Sequence, residues 1–167
     1  MSQIGNREPG LAGAALELGG FSAGLIADGI HVDPATLGIA LRSKRGPGTL
    51  FLVTDAMATI GSDIRSFTLN GRTIHRADGR LTLADGTLAG ADLDMISAVR
   101  FVHRRLGLPL EEALRMASLH PARAVGQDRR HGRLGSGSAA NFVLLTPQLD
   151  VAGVWLDGAP VFGEAAA

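Results

Sequence analysis

Asp55 follows the apolar run LFLV in the stretch LFLVTDAMATIGSD, and it is the residue best placed to do chemistry. A carboxylate at the end of a buried strand costs free energy unless a polar environment faces it. Where strands alternate with helices, the C-terminal strand ends point into the site, and a carboxylate there can act as a base. Asp55 could equally cap the turn DAMATIG, since the short Asp side chain readily bonds nearby main chain. His31 stands three residues after Asp28, just past the preceding apolar run FSAGLI, and is expected on the same rim as Asp55. A lone histidine is either a functional group near neutral pH or simply packed. Arg7, in GNREPG, is either a solvated loop residue or an anion clamp.

The remaining histidines are His75, His103, His120 and His131. His75 falls in a hairpin region and His103 on a helix, while His120, before Pro121, reads as a helix terminator. No H-x-H or H-E-x-x-H pair occurs, so local spacing assembles no metal site. With no Cys, thiolate zinc sites, iron–sulfur clusters and cysteine nucleophiles are excluded. GSGS at 135–138 lacks the Lys and the following helix of a phosphate loop and reads as a turn. Its serines lack the strand–turn–helix setting of a nucleophile elbow.

The elements that must hold these residues are legible. Residues 21–26 and 50–53 read as buried strands. Between them VDPATLGIALRSKRG predicts a helix, with Asp33 as its cap, Pro34 at the first position and Gly46-Pro47-Gly48 after it. Strand, helix, strand with apolar strands is the βαβ pattern of a parallel sheet buried on both faces. From residue 66, Asn70-Gly71, Asp78-Gly79 and Asp85-Gly86 punctuate short strand-like runs, predicting an antiparallel insertion over about 66–88. Helices are expected over 93–106 and 110–118, and a short one from Pro121. Residues 142–145 and a hairpin about Asp157-Gly158 predict a final β layer.

The chain has 167 residues, 46% of them apolar, which suits a packed core. Sixteen basic residues balance sixteen acidic ones, giving no electrostatic case for a nucleic acid or an anionic membrane as partner. All the basic residues but Lys44 are Arg, a bias that a G- and C-rich genome also produces. No secretory layout opens the sequence, and no apolar run approaches the ~18 residues of a membrane span, so a soluble cytoplasmic protein is expected.

Taken together, GNREPGLAGAAL, GLIADGIHVDP, LVTDAMA, GTLAGADLDMISAVR and RMASLHPARAVG resemble successive blocks of the N-acetylglucosamine-6-phosphate deacetylases of the amidohydrolase superfamily. The resemblance covers essentially the whole chain. It implies an α/β fold: the C-terminal strands and helices of a (β/α)₈ metal-dependent-hydrolase barrel over 1–131, and strands of a small β-sandwich over 132–167. It implies Asp55 as the base that takes a proton from water and returns it to the departing amine. Arg7 and His31 match substrate-binding residues, the arginine reaching the sugar phosphate across a homodimer interface. Asp28, Gly29 and Ile30, with a loop formed by Leu88, Ala89, Gly90 and Ala91, match segments lining the sugar site.

In the family, a divalent metal of zinc or iron type is held by a Glu and two His upstream of the matched blocks. This chain alone is therefore expected to hold no metal and to be inactive, and an open sheet edge is expected to drive association. The alternatives are a non-catalytic sugar-phosphate-binding or interaction module, and an amidohydrolase acting on a different amide.

Overall fold

The computed structural model describes residues 3–163. After helix α1 (Gly10–Glu17), strand β1 (Ala23–Ile26), helix α2 (Pro34–Ser43) and strand β2 (Leu50–Val53) form the expected βαβ unit. The strands pair in parallel, Ala23 with Leu50 through Ile26 with Val53. Both therefore run out at the same end. Asp33 caps α2, its Oδ1 accepting from the Ala35 N–H at 2.8 Å, and Pro34 occupies the first turn as expected. β1 is shorter than the run FSAGLI: Phe21 is exposed, its N–H donating to the Leu18 carbonyl in the turn after α1.

β2 is not buried on both faces. Leu50 and Leu52 are buried, while Phe51 and Val53 on the alternate face stay partly exposed. Helices α3 (Met95–Arg100), α4 (Leu110–Ala117) and α5 (Leu119–Ala124) pack against β2. The core joins Leu37, Leu50 and Leu52 to Val99, Val102, Ala113 and Met116. Each of the Leu, Val and Met side chains among these contributes roughly 1.5–3 kcal/mol on burial.

Two helical expectations are corrected. The helix foreseen over 93–106 begins at Met95 behind an Asp94 cap, then opens into a π-helical stretch, Phe101–Arg105. The Leu106 N–H reaches back five residues to the Phe101 carbonyl at 3.3 Å. α5 starts at Leu119, before Pro121, because a proline in the first turn lacks only an N–H that has no intrahelical acceptor. His120 is thus inside the helix and not its terminator.

Strands β3 (Ser66–Leu69), β4 (Arg72–Ala77), β5 (Arg80–Thr82) and β6 (Leu88–Ala91) form the antiparallel insertion in sequential order. The turns Asn70-Gly71 and Asp78-Gly79 have φ of 50° and 74°, and 51° and 72°, the paired positive values of tight hairpins. The last strand reaches Ala91, three residues beyond the expected end. There an isolated parallel bridge pairs Ala56 with Ala91, so the insertion returns to the chain just after β2.

The tail forms a sheet of β7 (Phe142–Leu145), β8 (Val151–Leu156) and β9 (Ala159–Phe162), with Phe142 stacked on Trp155 at 4.7 Å. Arg100 ties it to α3 through the Leu149 carbonyl at 2.8 Å and Asp150 Oδ1 at 2.5 Å. Val143, Leu144, Val161 and Phe162 are exposed on this sheet. Among the described residues, no helix is long and apolar enough to cross a membrane.

Candidate active site

The parallel register places the segments after β1 and β2, carrying Asp28–His31 and Asp55, at one end of the sheet. The first segment is tightly organised. Asp28 Oδ1 accepts from the Ile30 and His31 N–H groups, each at 2.9 Å. Its Oδ2 lies 2.6 Å from His31 Nδ1, and both side chains are 6% exposed. Gly29 turns the chain with φ 71°, and a Cβ there would stand 2.9 Å from the Phe101 ring. Ile30 packs toward Gly79 of the β4–β5 turn, where a Cβ would meet its Cδ1 at 3.6 Å.

Burial by itself would raise the Asp28 pKa. The His31 ring, the two main-chain donors and the histidine's charge outweigh it, leaving Asp28 below the ordinary carboxylate range. A depressed folded-state pKa gives stability that is present above the unfolded value and lost as pH falls through the folded one. The melting temperature should therefore fall more steeply in the native chain than in Asp28→Asn between about pH 5 and 2. Parallel slopes in a thermal melt series would contradict that linkage.

Asp55 sits two residues past β2 in the left-handed region, φ 52°, and is exposed. Exposed to solvent, its carboxylate faces a polar environment at the strand end. Its conformation is held by main chain, because the Ala91 N–H donates to the Asp55 carbonyl at 2.9 Å. The expected loop of Leu88, Ala89, Gly90 and Ala91 is strand β6, and it lies directly against Asp55.

Gly90 makes that approach possible. With φ 118°, a Cβ there would lie 2.6 Å from Met57 Cγ and 3.3 Å from the Asp55 carbonyl oxygen. Gly90→Ala should cost about 1–3 kcal/mol. Gly86→Ala, also at positive φ but facing open space, should cost about 1 kcal/mol. Urea unfolding of the two variants checks the order.

Leu88 and Ala89 line an open cavity of about 320 Å³ with Met57, Leu69, Ile74 and Leu83, and Asp55 does not line it. Arg7 is exposed in a bend closed by the Gly5 N–H to the Glu8 carbonyl at 3.0 Å. Among the described residues, no hydrogen bond or ion pair joins its side chain to Asp28, His31 or Asp55.

Sequence reasoning missed Arg76 and misread His120. Arg76 Nε donates to Asp92 Oδ2 at 2.8 Å, and its Nη1 donates to the Thr59 and Ser62 carbonyls at 3.2 and 2.5 Å. It thereby braces the loop that follows Asp55 against β4 and the end of β6. Its sequence signal is alternation: Arg76 shares the inward face of β4 with buried Ile74, an unusual place for a charge. His120 is buried, and its Nδ1 lies 3.2 Å from the Leu50 carbonyl, at the end of β2 opposite Asp55.

Among the described residues, no three of His, Asp and Glu are grouped so as to hold a metal ion. The donors present here do not by themselves fit the metal that the resemblance implies.

The model of the Amidohydrolase family matches residues 11–161. N-acetylglucosamine-6-phosphate deacetylase of Haemophilus influenzae is 37% identical over 161 residues, 95% of this chain and 42% of that protein. An Escherichia coli K12 protein, named provisionally as an N-acetylgalactosamine-6-phosphate deacetylase, is also 37% identical, over 95% of this chain and 93% of its own length. A mutant N-acetyl-D-glucosamine-6-phosphate deacetylase from Mycobacterium smegmatis, solved in complex with N-acetyl-D-glucosamine-6-phosphate, superposes with a TM-score of 0.84. It shares 34% identity, over 96% of this chain and 43% of that one. The chain thus spans about two fifths of the Haemophilus and Mycobacterium proteins, and nearly all of the Escherichia one. Its mixed α/β fold is that of the Mycobacterium structure over that length, and the chain belongs to the amidohydrolase family.

Proposed function

We propose that this chain supplies the proton-transfer and sugar-binding part of an enzyme that hydrolyses N-acetylglucosamine 6-phosphate to glucosamine 6-phosphate and acetate. Residues 3–131 are assigned to the C-terminal strands and helices of a (β/α)₈ barrel, and 132–163 to strands of a small β-sandwich; residues 1, 2 and 164–167 of those expected ranges lie outside the described residues. The reading rests on one observation above all: Asp55 leaves the C-terminal end of a parallel strand, locked to Ala91, on the rim that also carries Asp28 and His31.

In the chemistry assigned, the Asp55 carboxylate takes a proton from the water that adds to the acetyl carbonyl. It returns that proton to the sugar nitrogen as the C–N bond breaks. His31, with the main chain of Gly29, Ile30 and Leu88 to Ala91, holds the sugar, and Arg7 holds the 6-phosphate from a second subunit of a homodimer. Amidohydrolases are in general metal-dependent, and the metal is assigned to residues outside this chain. The compartment is assigned to the cytoplasm.

The decisive experiment measures acetate release and bound metal for the chain alone, and for the chain mixed with the portion of the Haemophilus protein that it does not match. Acetate from N-acetylglucosamine 6-phosphate in the mixture, and not from unphosphorylated N-acetylglucosamine, is the expected result. A mixture that forms a complex and takes up metal yet releases no acetate defeats the proposal. Relatives named for the galactosamine epimer support a second reading, in which the 4-hydroxyl of the preferred sugar is axial. Assaying both epimers decides between them.

The exposed Phe21, Val143, Leu144, Val161 and Phe162 should make the isolated chain self-associate. Size-exclusion chromatography with light scattering should show species above monomer mass. A sharp monomer peak with a cooperative melt would contradict this.

A further inference from the structure

No packing need explains a guanidinium on the inward face of β4. Arg76 shares that face with buried Ile74, and its side chain is 25% exposed, against 12% for its partner Asp92. We propose that Arg76 is a positioning residue for Asp55, closing a ring of contacts that fixes where the carboxylate stands on the rim. That Asp55 moves protons rests on the function proposed above; that Arg76 clamps the Asp55 backbone does not.

The ring can be followed bond by bond. The Ala91 N–H donates to the Asp55 carbonyl at 2.9 Å. Asp92 is the next residue, and its Oδ2 accepts from Arg76 Nε at 2.8 Å. Arg76 Nη1 donates onward to the Thr59 and Ser62 carbonyls at 3.2 and 2.5 Å. From there the chain runs back through Met57 to Asp55. Short turns fold this loop on itself, the Ile60 N–H donating to the Met57 carbonyl at 3.1 Å and the Ser62 N–H to the Thr59 carbonyl at 3.2 Å. Turns of that kind give the loop its shape but do not attach it to β6. The Ala91 bond and the guanidinium supply the attachment.

The loop needs holding. Asp55 and Gly61 both have positive φ, 52° and 70°, and a residue with a side chain keeps such a conformation only where its surroundings impose it. Thr59, midway along the loop, is 1% exposed and seated inward. The Asp55 side chain is exposed, so the backbone beneath it sets its direction. Arginine suits the task because its planar guanidinium offers separate N–H donors to a carboxylate and to the two carbonyls. The single ammonium of lysine can pair with Asp92 but does not reproduce that spread of donors. A base misplaced by about 1 Å can cost about 10²-fold in rate.

Amide hydrogen exchange in the full chain tests the clamp. In Arg76→Lys, which keeps a cation beside Asp92, the Ala91 N–H should exchange about tenfold faster than in the native chain. The Ala113 N–H, which donates to the Pro109 carbonyl in the buried part of α4, should keep its native rate. Arg76→Met should show the same pattern more strongly, and if it does not fold, Arg76→Lys alone decides. A native Ala91 rate in Arg76→Lys overturns the clamp. So does a rise shared equally by Ala91 and Ala113, the mark of general loosening.

Acetate release by the complemented enzyme tests the positioning. Arg76→Lys should lower kcat about 10–100-fold and leave KM within about threefold of native. A native kcat beside a crippled Asp55→Asn overturns the positioning while leaving the proposed function standing, and so does a loss carried wholly by KM. If Asp55→Asn keeps a native kcat, the proposed function and the kinetic role of Arg76 fall together, and the exchange of Ala91 still decides the clamp.

Discussion

Replacing Asp55 by Asn should lower kcat for N-acetylglucosamine 6-phosphate by about 10²–10⁴-fold, the range for loss of a general acid–base group. The assay is acetate release by the complemented enzyme described above. The variant isolates chemistry from folding because of where the residue sits. Asp55 occupies the left-handed region at φ 52°, which Asn tolerates better than other residues bearing a side chain. Its carbonyl, the acceptor for the Ala91 N–H, is main chain and survives the substitution. The melting temperature should therefore stay near that of the native chain and KM should change little, as befits a group that acts in the transition state. Asp55→Ala would confuse the two effects by adding backbone strain. An Asp55→Asn enzyme with kcat within a few-fold of native would remove the catalytic assignment and leave the residue as a turn former.

The Arg7→Ala substitution should raise KM for the 6-phosphorylated sugar by about 10–100-fold, from the roughly 1.5–3 kcal/mol of a hydrogen bond to a charged group. Slow turnover of unphosphorylated N-acetylglucosamine should be unaffected. Arg7 is exposed in its own chain, so the effect should shrink as salt rises. Arg7→Lys should recover part of the affinity, keeping the charge while losing the two-pronged geometry. Because Arg7 is not gathered with Asp28 and His31 here, its assignment requires a second subunit. Mixing Arg7→Ala with Asp55→Asn chains should then restore activity at sites combining a native Arg7 with a native Asp55. Equal KM increases for phosphorylated and unphosphorylated sugars would sink the phosphate clamp.

Much of this architecture is local, and local features are what a sequence carries. Asp33-Pro34 announces a helix start, and Asn70-Gly71 and Asp78-Gly79 announce hairpins, because each needs only its own few dihedrals. The run LFLV is a strand at the expected residues, since four apolar residues flanked by Gly48 and Asp55 have few alternatives. The π-helical stretch after Arg100 was not legible. It depends on how Val102 and Leu106 meet the core and not on periodicity alone. His120 was misread for the same reason: its acceptor, the Leu50 carbonyl, is 70 residues away.

The site divides along that line. By itself the sequence determined which residue types stand after the two parallel strands, and the βαβ pattern determined that they share one rim. Tertiary structure alone decided that Gly90 brings β6 against Asp55, and that Arg76 spans from Asp92 to the Thr59–Ser62 turn. It also decided that Asp28 turns its second oxygen onto the His31 ring. These contacts are set by sheet register and by which side chain is small enough to let two backbones approach, and neither quantity is written in the spacing of residues along the chain.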